Sequence, residues 1–133
     1  MTVQKSVDVK KEIQIKLAKK LLDVIILQFL SVKSMHGYEV ITKIRKIFDV
    51  YFGPSTVYPL LATLEKKKYI TSDWNMENDR PRKIYCLTEE GQNILAIAEN
   101  SLNIICQRMS DSLLTDDDIV PADITESKTN GSD

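Results

Sequence analysis

The segment Gly53–Ile70, GPSTVYPLLATLEKKKYI, has a helical pattern yet contains an internal proline. How this segment is interpreted decides the predicted fold. Its apolar residues are spaced to line one helix face: Val57, Leu60, Leu61 and Leu64. Gly53 suits an N-cap, and Pro54 suits the first helical position, where a proline is tolerated. Pro59 removes an amide donor and crowds the preceding turn. We therefore predict a short amphipathic helix whose N-terminal end is bent or rigidified by Pro59.

Two more helices are predicted before this segment. From about Lys10 to Val32, apolar residues recur at helical spacing, and the stripe widens until it surrounds most of the helix. The stretch KSMHG (33–37) interrupts this pattern, and residues 1–9 are expected to be flexible. A second helix is predicted from Tyr38 to about Phe48. Its predicted inward residues are Val40, Ile41, Ile44 and Ile47, and its outward ones are Lys43, Arg45 and Lys46.

A hairpin and a long helix are predicted after it. The runs YITSDWN (69–75) and RKIYCLT (82–88) alternate in the manner of paired antiparallel strands, with MENDRP (76–81) between them. Thr88 is a good N-cap for a helix that continues to about Leu114. Residues 115–133 are acidic and lack aromatic residues, so we expect a disordered tail. The predicted domains are a DNA-binding domain (10–88) and a dimerisation helix (89–114).

This order of elements is mainly α with a small β-hairpin (α+β), and it predicts a winged helix-turn-helix with N- and C-terminal helices forming a dimer. In such a fold the second helix of the pair enters the major groove of DNA. The residues expected to face DNA are Ser55, Thr56, Tyr58, Pro59, Thr63 and Lys67 of the third helix, Arg80, Arg82 and Lys83 of the wing, and Lys43. Taken singly, the helix face could be a solvated polar face, and the wing a charged β-turn. We expect His36 to be a cap or packing residue. Tyr38 could face DNA or pack inward, and we favour inward packing.

The charge distribution also favours a nucleic-acid partner. Residues 1–91 carry 16 Lys and Arg against 11 Asp and Glu, whereas residues 92–133 carry 2 against 8. The net charge of −1 therefore conceals a basic body. The single histidine has no nucleophile or metal-ligand partners, and no Gly-rich phosphate loop is present, so we expect no catalytic residues, no metal, no cofactor and no enzymatic activity.

The remaining composition indicates a cytoplasmic protein without a targeting segment. The most apolar run begins at Leu21 and is too short to span a bilayer. Cys86 and Cys106 both lie in apolar patterns and are expected to be buried, reduced thiols.

Two apolar rows on the last helix predict a homodimer. The first is a heptad-like seam of Leu95, Ala98, Leu102, Ile105 and Met109. The second row consists of Ile94, Ile97 and Ile104. Two rows favour two packing partners, the body of the chain and a second copy, although one wide stripe buried within a monomer remains an alternative.

Three segments together resemble the PadR family of transcriptional regulators: HGYEVITKI (36–44), STVYPLLATLEKKKYI (55–70) and DRPRKIYCLTEEG (79–91). The resemblance extends from about Leu21 to Met109. It implies a dimeric winged-helix repressor of a pseudo-palindromic operator, with an effector that the sequence does not identify. Ser55 and Asp79 stand where the family often has glycine, and Lys68 replaces the glycine that normally ends the recognition helix. Lys68 is therefore expected to adopt a left-handed conformation or to change how the helix ends. A winged-helix protein-interaction module and an architectural DNA-binding protein are the alternatives.

Overall fold

The computed structural model describes residues 2–77 and 80–114 of the 133-residue chain. The elements are α1 (Thr2–Lys20), α2 (Leu22–Val32), β1 (Met35–His36), α3 (Gly37–Phe48), α4 (Pro54–Lys66), β2 (Ile70–Asn75), β3 (Arg82–Leu87) and α5 (Glu89–Leu114). The chain forms two compact units, Met1–Ala96 and Ile97–Asp133. The first unit contains α3, α4 and the hairpin in the order of a winged helix-turn-helix, which confirms the predicted fold class.

The core of the first unit forms where α2, α3 and α4 pack beside the sheet. Its most deeply buried side chains are Leu22, Ile26, Met35, Val40, Ile44, Val57, Leu61 and Ile70. The predicted inward faces of the second and third helices are confirmed, with one exception. Ile47 is 55% exposed, since it lies in the last turn of α3 beyond the residues that contact the core.

The first predicted helix is divided at Leu21. Its φ of −102° and ψ of 13° depart from helical values. The Leu21 N–H still donates to the Leu17 carbonyl at 3.1 Å, and the Ile25 N–H donates to Leu21 at 2.9 Å. The helical hydrogen bonds to and from Leu21 are therefore kept although its backbone is distorted. At the other end, α1 begins at Thr2, within the segment expected to be flexible.

The sheet has three strands in the order β1–β3–β2 and is antiparallel throughout. The hairpin of β2 and β3 is confirmed, with Ser72 opposite Tyr85 and Trp74 opposite Lys83. The sequence analysis missed β1, because two residues are too few to show an alternating pattern. Through β1, His36 lies opposite Ile84 of the wing. The chain thus enters α3 directly from the sheet.

A tight junction joins the end of α4 to the start of α5. Lys68 has a φ of 69°, which confirms that a lysine adopts the left-handed conformation usually taken by glycine. The Thr88 hydroxyl lies 2.8 Å from the Lys68 carbonyl and accepts the Gly91 N–H at 2.9 Å, so Thr88 is the expected N-cap. A Cβ on Gly91 would lie 2.1 Å from the Tyr69 carbonyl oxygen. This close approach explains the glycine three residues after the threonine.

The two cysteines differ from the burial expected of them. Both cysteines are free, but Cys86 is half-buried and Cys106 is exposed, so their predicted burial is wrong. Cys106 lies on a part of α5 where the neighbouring apolar side chains are themselves exposed. The acidic tail (115–133) and Asp79 lie outside the described residues.

Candidate nucleic-acid interface

The outward face of α4 consists of small, hydroxyl-bearing and basic side chains. Of the expected DNA-facing residues, Ser55, Tyr58, Pro59, Thr63 and Lys67 are exposed, and Thr56 is half-buried. The helix starts as its sequence predicts, with Gly53 as N-cap and Pro54 in the first turn. The Gly53 carbonyl accepts the N–H groups of Thr56 and Val57, both at 3.0 Å. The first turn of α4 is therefore formed, and most of the residues expected to face DNA are exposed on it.

Pro59 lies on this exposed face and changes the hydrogen bonding around it. Since proline has no N–H, the Ser55 carbonyl receives no helical donor from position 59. One turn later, the Thr63 hydroxyl donates to the Pro59 carbonyl at 3.0 Å. With its proton engaged, the Thr63 hydroxyl can still accept a hydrogen bond, and its methyl group can contact a thymine methyl.

Tyr58 connects α4 to the start of α3. A Cβ added to Gly37 would lie 2.3 Å from Tyr58 Cε1 and 2.8 Å from Cζ. A side chain at position 37 would therefore have to displace the phenol ring, which occupies that space. Tyr58 itself remains 41% exposed. This packing fixes the ring at the N-terminal end of α4 and leaves its outer edge accessible.

The wing presents its cations next to aromatic and imidazole groups. Arg82 NH1 lies 2.9 Å from His36 Nε2, and Lys83 Nζ lies 5.8 Å from the centre of the Trp74 ring. Arg80 is exposed at the tip. The two contacts restrain the cations of β3 without neutralising them, because neither an imidazole nor an indole carries a negative charge.

Between α4 and the wing is an open cleft of about 570 Å³. Its aromatic lining is Tyr38, Tyr58, Trp74 and Tyr85; its cationic lining is Arg80, Arg82 and Lys83; and His36, Gly37 and Pro81 complete it. None of these described lining residues is acidic. Cations supply attraction for phosphate, and aromatic faces supply apolar contact for sugars and bases.

The cleft floor is held by polar contacts between α4 and the hairpin. Glu65 of α4 accepts a hydrogen bond from the Ser72 hydroxyl of β2 at 2.6 Å. Tyr85, opposite Ser72, is only 6% exposed. Its burial, together with the nearby Glu65 and Tyr58, raises the pKa of the Tyr85 phenol. Tyr85 therefore stays neutral through the physiological range and adds no negative charge to the cleft.

A second basic groove of about 450 Å³ runs along the outer side of α3. Lys33, Lys43 and Lys46 line it, and Tyr38 lines both this groove and the cleft. Lys43 Nζ lies 5.8 Å from the centre of the Phe29 ring, so its alkyl chain is partly buried. Lys33 Nζ lies 3.9 Å from Glu39 Oε2. Glu39 also lines the groove, so three lysines and one carboxylate give this side of α3 a net positive charge.

The predicted dimerisation seam needs one correction. Leu95 is 7% exposed and belongs to the core of the first unit, so its side chain is occupied within the monomer. Ala98 and Leu102 are half-buried. Ile105 is 54%, Met109 63% and Leu113 84% exposed. The accessible apolar stripe therefore begins after Leu95 and extends to Leu113.

Comparison with known proteins identifies the family. Residues 26–97, more than half of the chain, match the model of the Transcriptional regulator PadR-like family. The chain belongs to this family. A search of curated proteins gave no match.

Solved PadR-family structures share the fold. A PadR-family regulator from Clostridium difficile R20291 is 28% identical, with a TM-score of 0.64 over 70% of this chain and 98% of the other. A PadR-like regulator from Bacillus cereus is 26% identical, with a TM-score of 0.66 over 74% and 96%. One from Eggerthella lenta is 24% identical, with a TM-score of 0.72 over 83% and 96%, and it supports the fold alone. The PadR-like assignment confirms the resemblance and makes the chain a transcriptional regulator, a class that is generally not enzymatic.

The sequence analysis identified the cations of the wing but not their neighbours. Tyr38 is 68% exposed, so the expectation that it packs inward is wrong; it lies in the first turn of α3, outside the core-facing stripe. Trp74 of β2 is 62% exposed. The alternating pattern around it predicted a strand but did not show that its ring lines the cleft. His36 is close to its predicted role, since it is the N-cap residue of α3.

Within residues 2–77 and 80–114, no group of three His, Cys, Asp or Glu side chains is placed to hold a metal ion. None of the helices described is both long and apolar enough to cross a membrane.

Proposed function

We propose that the protein is a homodimeric DNA-binding repressor that recognises a pseudo-palindromic operator and acts in the cytoplasm. In this proposal the outer face of α4 enters the major groove, while Arg80, Arg82 and Lys83 follow the phosphates toward the adjacent minor groove. The observation that carries the proposal is that Tyr58 of α4 and the wing cations border one cleft without an acidic described lining residue.

The chemistry of each part matches the role assigned to it. Ser55 and Thr56 supply hydroxyls at the N-terminal end of α4, where the helix dipole also favours a phosphate. Tyr58, fixed by Gly37, supplies a phenol hydroxyl at the same end. Lys43, with its neighbours Lys33 and Lys46, would contact the backbone beside the groove, as the first helix of a helix-turn-helix does.

Dimerisation is proposed through α5, using Ala98, Leu102, Ile105 and Met109 but not Leu95. Their exposure leaves apolar surface that a second copy would cover. A two-fold dimer would present two recognition helices to major grooves separated by about 34 Å, one helical turn of DNA. An effector that changes this spacing would change operator affinity.

Selection of binding sites from fragmented genomic DNA tests the proposal. The purified chain is expected to enrich fragments that share an inverted repeat, and to bind them more tightly than a scrambled duplex in a gel-shift assay at fixed salt. Enrichment without a repeat would indicate architectural binding instead. Absence of binding to any duplex at low salt would favour the protein-interaction module.

Expression of a reporter placed behind the recovered site tests the sign of regulation. Repression that requires the intact inverted repeat is expected. Activation from the same site would contradict the repressor assignment while leaving DNA binding in place.

A further inference from the structure

We propose that Trp74 contacts DNA: its indole packs against the deoxyribose face of one strand where that strand crosses the cleft, and Lys83 beside it binds an adjoining phosphate. This inference rests on the proposed function, which assigns DNA contacts to α4 and to the cations of the wing but gives no role to Trp74. The starting observation is that Trp74, the only tryptophan of the chain, is 62% exposed. Covering an indole removes a large apolar surface from water.

The hairpin places Trp74 at the outer end of a face that begins in the core. Alternate residues of a strand share one face of a sheet, so Trp74 lies on the same face of β2 as Ile70 and Ser72. Along this face Ile70 is fully buried, Ser72 is half-buried and Trp74 is exposed. The face therefore leaves the core toward the tip of the wing, and its last large side chain lines the cleft.

The surroundings of this indole carry positive charge. Lys83 lies directly opposite Trp74 on β3, and its Nζ is 5.8 Å from the centre of the ring. Arg80 and Arg82 line the same cleft, and none of its described lining residues is acidic. A sugar–phosphate backbone offers apolar contact and negative charge together. An apolar protein surface would leave the cations without a counter-charge, so the charge of the cleft favours the DNA backbone as its occupant.

The cleft also lies where one DNA strand must pass in the proposed complex. There α4 occupies the major groove, and the wing reaches the adjacent minor groove. Two neighbouring grooves are separated by the backbone of one strand, so that backbone crosses between α4 and the wing. Tyr58 of α4 and Trp74 of β2 both line the cleft. The two rings would thus flank the same strand from two elements of the fold.

A structural role confined to the wing makes different predictions. Cross-strand pairs that include an aromatic residue stabilise hairpins, and Trp74 with Lys83 could act in this way alone. Bound DNA would then leave the indole exposed. A contact with the backbone instead covers the indole, and it strengthens binding to every sequence alike, because deoxyribose and phosphate carry no sequence information.

The first test measures whether DNA covers the indole. Because Trp74 is the single tryptophan, its fluorescence reports on this ring alone. Acrylamide is the quencher, since it is uncharged and is not repelled by DNA. Saturation of the wild-type protein with the duplex recovered by selection is expected to lower the quenching constant by about 2-fold or more, as the exposed ring becomes covered. An unchanged constant, with binding shown by gel shift, overturns the contact and leaves the proposed function in place.

A relocated tryptophan is the matched control for this measurement. Thr71 is exposed and lies on the opposite face of β2. In the double variant Trp74→Phe, Thr71→Trp, the reporter moves to that face of the same strand, and the duplex is expected to leave its quenching constant unchanged. Equal protection of the relocated tryptophan would show that DNA shields both faces of the wing, and would overturn the assignment to the cleft.

The second test compares two variants of Trp74 on two duplexes. Trp74→Leu removes the aromatic ring and is expected to weaken binding by about 5-fold or more, the lower end of what an aromatic contact to nucleic acid contributes. The loss should be equal for the selected duplex and for a scrambled one. Trp74→Phe keeps an aromatic face and should stay within about 2-fold of the wild type. A loss confined to the selected duplex, or no loss in Trp74→Leu, would overturn the backbone contact.

The salt dependence separates a direct contact from an effect through Lys83. Trp74→Leu removes no charge, so its slope of log affinity against log salt is expected to match that of the wild type. A slope reduced as far as in Lys83→Gln would show that Trp74 acts only by holding Lys83, and would overturn the direct contact. Thermal unfolding checks that Trp74→Leu is folded, and the quenching test on the wild type stands if it is not. If the wild type binds no duplex at all, the proposed function fails and this inference fails with it.

Discussion

Two amphipathic helices, α4 and the part of α5 beyond Ala96, expose different chemistry. Both have apolar residues at helical spacing. On α4 these are buried, and the exposed face carries Ser55, Pro59 and Thr63. On α5 beyond Ala96, several apolar side chains are themselves exposed, as at Ile105 and Met109. A polar face of small residues suits a hydrated groove, whereas a stripe of exposed aliphatic residues suits another protein surface. The exposed face of α4 therefore suits a nucleic-acid partner, and the exposed stripe of α5 suits a protein partner.

A charge on the α5 stripe should give the largest effect. Ile105→Glu would bury a carboxylate in the proposed interface, where an unpaired charge costs several kcal/mol. The dimer dissociation constant is expected to rise by about 100-fold or more, as measured by light scattering over a dilution series, with helical circular dichroism retained.

Gln107→Glu is the matched control, since Gln107 is an exposed α5 residue that projects away from the stripe. It introduces the same charge and should leave the dimer intact. An unchanged dimer in Ile105→Glu would show that the stripe is not part of the interface. The assignment of α5 to a protein partner would then be wrong.

Gly37→Ala tests whether the α4 face depends on its support. A methyl group 2.3 Å from Tyr58 Cε1 must displace the ring. The free energy of unfolding is expected to fall by about 1–3 kcal/mol, the usual cost of overpacking, and DNA affinity should fall with it. Urea denaturation and gel shifts measure the two effects.

Two variants make the Gly37→Ala result specific. At Gly53 an added Cβ would be 3.0 Å from its nearest neighbour, the Tyr51 hydroxyl, which belongs to a flexible exposed side chain. Gly53→Ala should therefore cost less stability. Adding Tyr58→Ala to Gly37→Ala should restore stability but not DNA affinity. Failure of this rescue would mean that the methyl group clashes elsewhere.

Pro59→Ala isolates the role of the proline on the α4 face. Alanine supplies an N–H at position 59 that can donate to the Ser55 carbonyl, so stability is expected to rise by up to about 3 kcal/mol, the interior helical penalty of proline. DNA affinity is expected to fall, because the N-terminal end of α4 loses its fixed shape. Thermal unfolding and gel shifts with the selected duplex measure the two quantities. Higher stability with unchanged affinity and specificity would make Pro59 a structural feature only.

The sequence predicted those parts of the molecule whose signals are local. The N-cap at Gly53 and the Thr88 cap each follow from a few neighbouring residues, and both are present. The left-handed Lys68 is one of the two outcomes expected from the glycine that the family has at this position. The strand Met35–His36 and the His36–Arg82 contact were not predictable in this way. Both depend on pairing between segments about 50 and 46 residues apart, for which two residues carry no periodic signal.

The seam on α5 was partly predicted for a related reason. A heptad pattern identifies an apolar row but not which members the monomer already buries. Leu95 follows the same spacing as Ile105 and Met109, yet it packs in the core of the first unit. Tyr38 shows the converse, since an aromatic residue next to a core-facing helix is exposed beside the cleft. Residue type and spacing therefore predicted the helices and strands. Which apolar side chains are exposed depends on tertiary packing, which the sequence pattern does not show.

The smallest expected effect is on the salt dependence of DNA binding. It tests whether Lys83 of the wing contributes through a specific phosphate contact or only through the overall charge of the protein. Lys83→Gln removes a cation next to Trp74, and Lys16→Gln removes one from the exposed surface of α1. Both lower the net charge equally. If Lys83 contacts a phosphate, its loss should reduce the slope of log affinity against log salt by about 1, whereas Lys16→Gln should leave the slope within error. Fluorescence anisotropy between about 50 and 200 mM salt measures both. Equal slopes would mean that Lys83 contacts no phosphate, and would assign DNA attraction to the overall basic charge of residues 1–91.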